Sequence, residues 1–434
     1  MLDKEAPEAW SQAEAMGDKK RALRICQSAF WALAFYGQGP AWGTPEAITW
    51  AERADPLAEP ETTERTLVDM FLGTVSMSRG NSEEGIVQLN RALELARKLG
   101  DKNTFWMTAA IWLLYAQAPH HAQERLNLAE ELMAQSREGV DLKTFGLGAE
   151  VIGDAFLAMG QRRRAEEIFR ELKDLARRSG QIRLQLIVLA LEAINAYADG
   201  CLEDVVATID HVFALSQELD LAEYATVGIY VTGTRPFLYL GKYENMFKMG
   251  LPNIRREVIE TWRDAGRVFS SAHLGRGAEV SKSLNEMVRT RSQMDLREDE
   301  NQAYFDTLLL EAAILVRHRE AADFFLRRFA GSPVRTTGIF YTTIIARHLG
   351  AAAAMLGRID EAQAHYLDAI QVATDMRFRP ELALTRFQLA ELLLDHYPEE
   401  REQALEHLDF AIKEFEAMKM QPSLEKAQAL RQSR

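Results

Sequence analysis

Cysteine is almost absent. Only Cys26 and Cys201 occur in 434 residues, far apart and without a C-x-x-C neighbour, which excludes a disulfide framework and a thiolate metal site and fits a reducing cytoplasm. Breakers are sparse too, with 12 prolines and 26 glycines, while Ala, Leu, Glu and Arg dominate; long helices joined by short turns follow, and no segment reads as a strand. Long apolar runs are missing. The most apolar stretch, LQLIVLALEAINAYA at 184–198, is interrupted by Glu192 and is too short to span a bilayer. The start MLDKEAPEAW lacks the basic-then-apolar form of a signal peptide, so no membrane partner is expected.

Positive charge is also in deficit. A net charge of −13 argues against direct nucleic-acid binding, which needs concentrated Lys and Arg. Residues 242–335 are the exception, with 16 basic against 14 acidic side chains. A basic stripe there would suit an acidic partner, although interspersed charges read more simply as a solvated surface.

Catalytic motifs are lacking as well. There is no GxxxxGK[ST] loop, and GKYENMFKMG at 241–250 has neither that spacing nor a preceding strand. There is no HExxH, and His120 and His121 stand in an apparent loop after Pro119. Ser270, Ser271 and His273 lack the strand-turn-helix setting of a nucleophilic serine. The carboxylates of DLREDE at 295–300 could bind a cation but read more simply as favouring the N-terminus of the helix that follows, and the basic patches GQRRRAEE and ARRSGQ as solvated helix ends. No catalytic residue, metal or cofactor is therefore expected.

What is present is a repeat. In MLGRIDEAQAHYLDAIQVA at 355–373, Gly357 is followed at offsets of five, nine and twelve by Ala362, Tyr366 and Ala369. If Gly357 marks the turn of a helix hairpin, the alanines share one face of the second helix and admit a close neighbour, and Tyr366 fills the space between. Gly80, Gly160, Gly200 and Gly275 head similar copies, and His120, Gly241, Arg317 and Glu399 weaker ones, in steps of 34 to 42 residues. Counting back seven from a marker finds Gly73, Gly153 and Gly350, whose helical cost of about 1 kcal/mol implies tight interhelical contact. Pro380 and Pro422, each 23 residues after a marker, suit the first turn of the next helix.

The pattern in LGAAAAMLGRIDEAQAHYLDAI resembles the tetratricopeptide repeat, with a period longer than the usual 34 residues and with most consensus Trp and Pro positions absent. The resemblance implies an all-α superhelix of about nine to ten hairpins with a period near 40 residues. EAWSQAEAMGDKKRALRICQSAFWALAFYG with TPEAITWAERA, and RFRPELALTRFQLAELLLDHYPEEREQALEHLDFAIKEFEAMKM, look like the C-terminal arrays of bacterial signalling ATPases, among them maltose-regulator-like activators and ATPase-linked class III nucleotide cyclases. In such a protein the ATPase and output modules belong to other domains, and this chain is the regulatory arm.

The resemblance further implies a concave groove lined by the first helix of each hairpin. Positions 10, 6 and 3 before the markers place Glu150, Asp154, Tyr197, Arg235, Glu311 and Arg347 toward it, as candidates for binding a protein segment or a small effector. The organisation expected is a lead-in helix over 1–19, one lobe of repeats over 20–250 and a second over 251–434, with a kink where Gly250 and Pro252 oppose helix continuation. The expected function is a noncatalytic scaffold that regulates a signalling ATPase. The alternatives are a stand-alone adaptor and an all-helical enzyme with an acid-base site in the groove.

Overall fold

A computed structural model describes the backbone of residues 4–218, 222–244 and 260–434, and their side chains except those of 34–41, 222–230 and 260–264. The chain is all-α: twenty-one α-helices and no strand occur among the described residues, and none of these helices is long and apolar enough to cross a membrane. The kink expected near Gly250 and Pro252, and the lobe boundary there, lie outside the described residues.

The markers found by periodicity are turn residues. Gly80, Gly160, Gly200, Gly241, Gly275 and Gly357 all have positive φ, and Arg317 joins them at 58°. Each ends one helix, and the next begins within four residues at most of the sites, as with Leu142–Ala158 before Arg162–Ser179 and Ile345–Leu356 before Ile359–Asp375. At His120 and Glu399 a short 3-10 turn, Pro119–His121 and Pro398–Glu400, takes the place of the left-handed residue. Pro380 and Pro422 occupy the first turns of Arg379–His396 and Gln421–Ser433, where a missing N–H costs nothing.

The reason for the paired spacing is steric. A Cβ at Gly153 would lie 2.0 Å from the Phe169 ring, and one at Gly350 2.7 Å from the Tyr366 ring. Where a glycine stands seven before a marker, at Gly73, Gly153 and Gly350, it is thus the socket for the large residue nine after that marker. Ala362 and Ala369, on either side of Tyr366, are fully buried.

The chain forms two compact units. Unit 1 comprises Met1–Ile152, Pro252–Asp264 and Glu298–Gln302. Its first core gathers Leu23, Cys26, Ala29, Trp50, Ala54 and Val68, with Trp10 against it. Burial pushes the Cys26 thiol up to about 11, so it behaves as a small apolar side chain. Unit 2 comprises Gly153–Leu251, Ala265–Arg297 and Ala303–Arg434.

Each unit also holds a buried aspartate that the sequence reading passed over. In unit 1 Asp69 accepts from Arg91 at 2.5 and 2.7 Å and pairs with Arg65; in unit 2 Asp306 pairs with Arg291 at 2.8 Å and Arg328 at 3.2 Å. Asp69 and Asp306 stand eleven residues before their markers and Arg91 and Arg328 eleven after. The same ion pair therefore ties the outer ends of two hairpins.

Within unit 2 the hairpin turns near 160 and 200 do not end in solvent. Arg162, read as a solvated helix end, is buried and donates to the carbonyls of Met376 and Arg377, while Arg377 pairs with Glu166 at 2.6 Å. Arg379 donates to the carbonyl of Asp199, and Lys419 pairs with Glu203. The turns near 160 and 200 are thus sealed by segments more than 200 and about 180 residues later in the chain, a contact that a stack joined only through nearest neighbours does not make.

Candidate functional site: a buried polar centre in unit 2

The stretch between helices Arg319–Phe329 and Ile345–Leu356 departs from the helical pattern. Residues 331–344, GSPVRTTGIFYTTI, carry two glycines, a proline and four threonines, types that favour turns or extended backbone. Their ends meet through an isolated bridge between Thr336 and Ile344 and a bond from Ile345 N to the Arg335 carbonyl, making a closed loop. Thr336, Ile339, Tyr341 and Thr343 are buried.

Earlier helices of unit 2 hold this loop by its main chain. The Ala158 carbonyl accepts from Arg335 N at 2.8 Å and Thr336 N at 3.1 Å. Asp154 Oδ1 accepts from Ile339 N at 2.8 Å, and Val231 O from Tyr341 N at 3.1 Å. Arg235 Nε donates to the Tyr341 carbonyl at 2.8 Å. Gly338, at φ 66°, passes so near Asp154 that a Cβ there would lie 1.9 Å from Oδ1.

Beneath the loop lies a connected set of ionisable groups. Arg235 donates to Glu311 at 2.9 Å, and His273 Nε2 lies 3.2 Å from the other Glu311 oxygen. Burial alone would raise the Glu311 pKa; the Arg235 guanidinium, together with His348 and His273, more than offsets it and holds the carboxyl well below the usual range. Arg347 donates to Glu381 at 2.8 and 3.3 Å, and Glu381 also accepts from Tyr239 Oη at 3.0 Å and Ile344 N at 3.1 Å. Burial again opposes ionisation of Glu381 and Arg347 restores it. The Tyr239 hydroxyl is pushed up to about 12 by burial and then by Glu381.

His348 stays neutral. Arg347 donates to its Nε2 at 3.1 Å, which assigns that nitrogen as an acceptor, and Thr343 Oγ1 lies 3.0 Å away. Burial first, and the Arg347 charge second, push its pKa down to about 3.

Four of the six residues expected to face a groove, Tyr197, Arg235, Glu311 and Arg347, converge on this centre, and Asp154 joins them through the loop. Tyr197 packs edge-on against Phe378 at 5.1 Å. Glu150 belongs to unit 1. Asp154, Arg235, Glu311 and Arg347, read as ligand-facing, are thus occupied by their own chain. Sequence reasoning missed His348, Tyr239, Glu381 and the loop itself, and read His273 as part of a turn. The loop had a signal in its run of Thr, Gly and Pro; Glu381 had none, since its partner is 34 residues away and shares no repeat position with it.

In unit 1, His120 and His121 do not stand free in a loop but face Glu300, which was read as supporting a helix N-terminus. These three could hold a metal ion. Comparison with family models and with curated proteins finds no match to this chain.

Proposed function

We propose that this protein is a noncatalytic scaffold of tetratricopeptide-like hairpins that binds an extended polypeptide segment, and that it serves as the regulatory arm of a cytoplasmic bacterial signalling ATPase. The observation that carries the binding reading is the loop 335–343. Asp154, Val231 and Arg235 grip it through main-chain N–H and C=O groups, which every peptide possesses. The signalling role rests on the sequence resemblance. A stand-alone adaptor would use the same surface.

The perturbed acids do not call for an enzyme. Glu311 and Glu381 are each neutralised by an arginine, and the loop covers both pairs, so internal pairing accounts for their pKa shifts. In this reading the loop is a resident ligand, and a partner segment competes with it.

The test uses a fluorescent peptide with the sequence of residues 333–344 and a chain in which 335–343 is replaced by a Gly-Ser linker. Saturable binding to the linker variant, weak or no binding to the intact chain, and loss on adding Asp154→Ala would support the reading. If the correctly folded linker variant does not bind the peptide, the groove is not a peptide site.

A further inference from the structure

We propose that His120, His121 and Glu300 of unit 1 form a binding site for a divalent transition-metal ion of the zinc class. His120 Nε2 lies 3.1 Å from Glu300 Oε1, and His121 Nε2 lies 3.1 Å from Oε1 and 2.9 Å from Oε2. Ligand atoms from all three side chains fall within 4.8 Å of one another. A tetrahedral zinc ion with bonds of about 2.0–2.1 Å holds its ligands about 3.3 Å apart, close to the spacing that both histidines already keep from Glu300. Two imidazoles and one carboxylate suit zinc, cobalt or nickel and are a poor match for magnesium or calcium, which take oxygen.

The surroundings hold the donors in place. Pro119 opens the 3-10 turn that presents two successive histidines on one side, with ring centroids 4.2 Å apart. Trp112 packs edge-on against His121 at 5.8 Å. On the far side of that ring, Glu124 lies 3.8 Å from Nδ1 and adds a negative charge beside the site. Gln302 donates to the Tyr115 carbonyl at 3.3 Å and anchors the strip of chain that carries Glu300. The three side chains are 23%, 14% and 9% exposed, open enough for an ion to arrive and for water to take a fourth position.

Such an ion would do what neither segment does alone. It would fasten Glu298–Gln302, a five-residue piece of unit 1 that lies 180 residues along the chain from His120, onto the turn between helices Lys102–Tyr115 and Ala122–Ala134.

The experiment is a titration of the full chain with ZnCl2 against a chromogenic chelator, and with CoCl2 followed by visible absorption. It is run in a Cys201→Ser background, because that exposed thiol would compete. One ion per chain, a cobalt spectrum without a thiolate charge-transfer band, and affinity weakened by about 10-fold or more in both His121→Ala and Glu300→Gln are expected. Glu124→Leu should weaken it less. Circular dichroism checks that each variant folds, and if His121→Ala does not, the more exposed His120→Asn takes its place. Absence of saturable binding of either ion, or equal affinity in the parent and the folded variants, would overturn the site.

Discussion

At the residue scale, the molecule depends on a few side chains whose absence or neutrality matters more than their presence. Gly153 is one. Adding a methyl group drives it into Phe169, and since both sit in a packed hairpin, Gly153→Ala should destabilise by about 1–3 kcal/mol in urea unfolding. Gly277, at the start of a helix with nothing nearer than 4.0 Å to its missing Cβ, should gain up to about 1 kcal/mol from the same change. His348 is another. Its pKa falls from 6.5 in the unfolded chain to about 3 in the fold, so between those values the unfolded chain binds a proton that the folded one refuses. Its contribution to stability is full above 6.5 and is lost as pH falls toward 3. By about pH 5 the loss should be about 2 kcal/mol. His348→Gln should flatten that part of the urea-midpoint profile; an unchanged slope would show that His348 is not the group refusing the proton.

At the element scale, the decisive piece is the loop 331–344. Regular hairpins fill the chain before and after it, yet this irregular segment is more buried than many helices and supplies main-chain partners for Asp154 and Arg235. Gly338→Ala would press a methyl group onto the Asp154 carboxylate while also straining a positive φ. Limited proteolysis should then cut between 331 and 344 well before any helix of unit 2 is attacked. Resistance equal to that of the native protein would mean that the loop is held mainly by Ile339 and Tyr341 packing. Helix positions were legible because most hairpins advertise themselves locally, through the turn residue and, at Gly73, Gly153 and Gly350, through a glycine that marks a close helix contact. The loop's destination was not legible, because its partners lie 100 to 185 residues away.

At the scale of the whole molecule, unit 2 closes on itself where the repeat pattern alone would leave ends open. Met418 packs against Gly200, and Pro422 against Gly241. A chain ending at residue 400 should therefore exchange amide hydrogens faster around 195–205 and 237–243, although its cut lies about 160 to 200 residues away. A linear stack of independent hairpins would confine the change to the helices next to the cut.

The sequence by itself determined the helical class, the hairpin turns and the close interhelical contact at the helix glycines, because these arise from periodicities and steric rules that act within about 40 residues. It also placed Tyr197, Arg235, Glu311 and Arg347 together, as lining a groove open to a ligand. Only the tertiary structure decided that these residues meet one another and a loop of the same chain rather than solvent. It alone brought Glu300 to His120 and His121. Those pairings join segments whose distance along the chain carries no pattern, and they are fixed by which buried charges must be neutralised and which main-chain groups must be satisfied once the hairpins have packed.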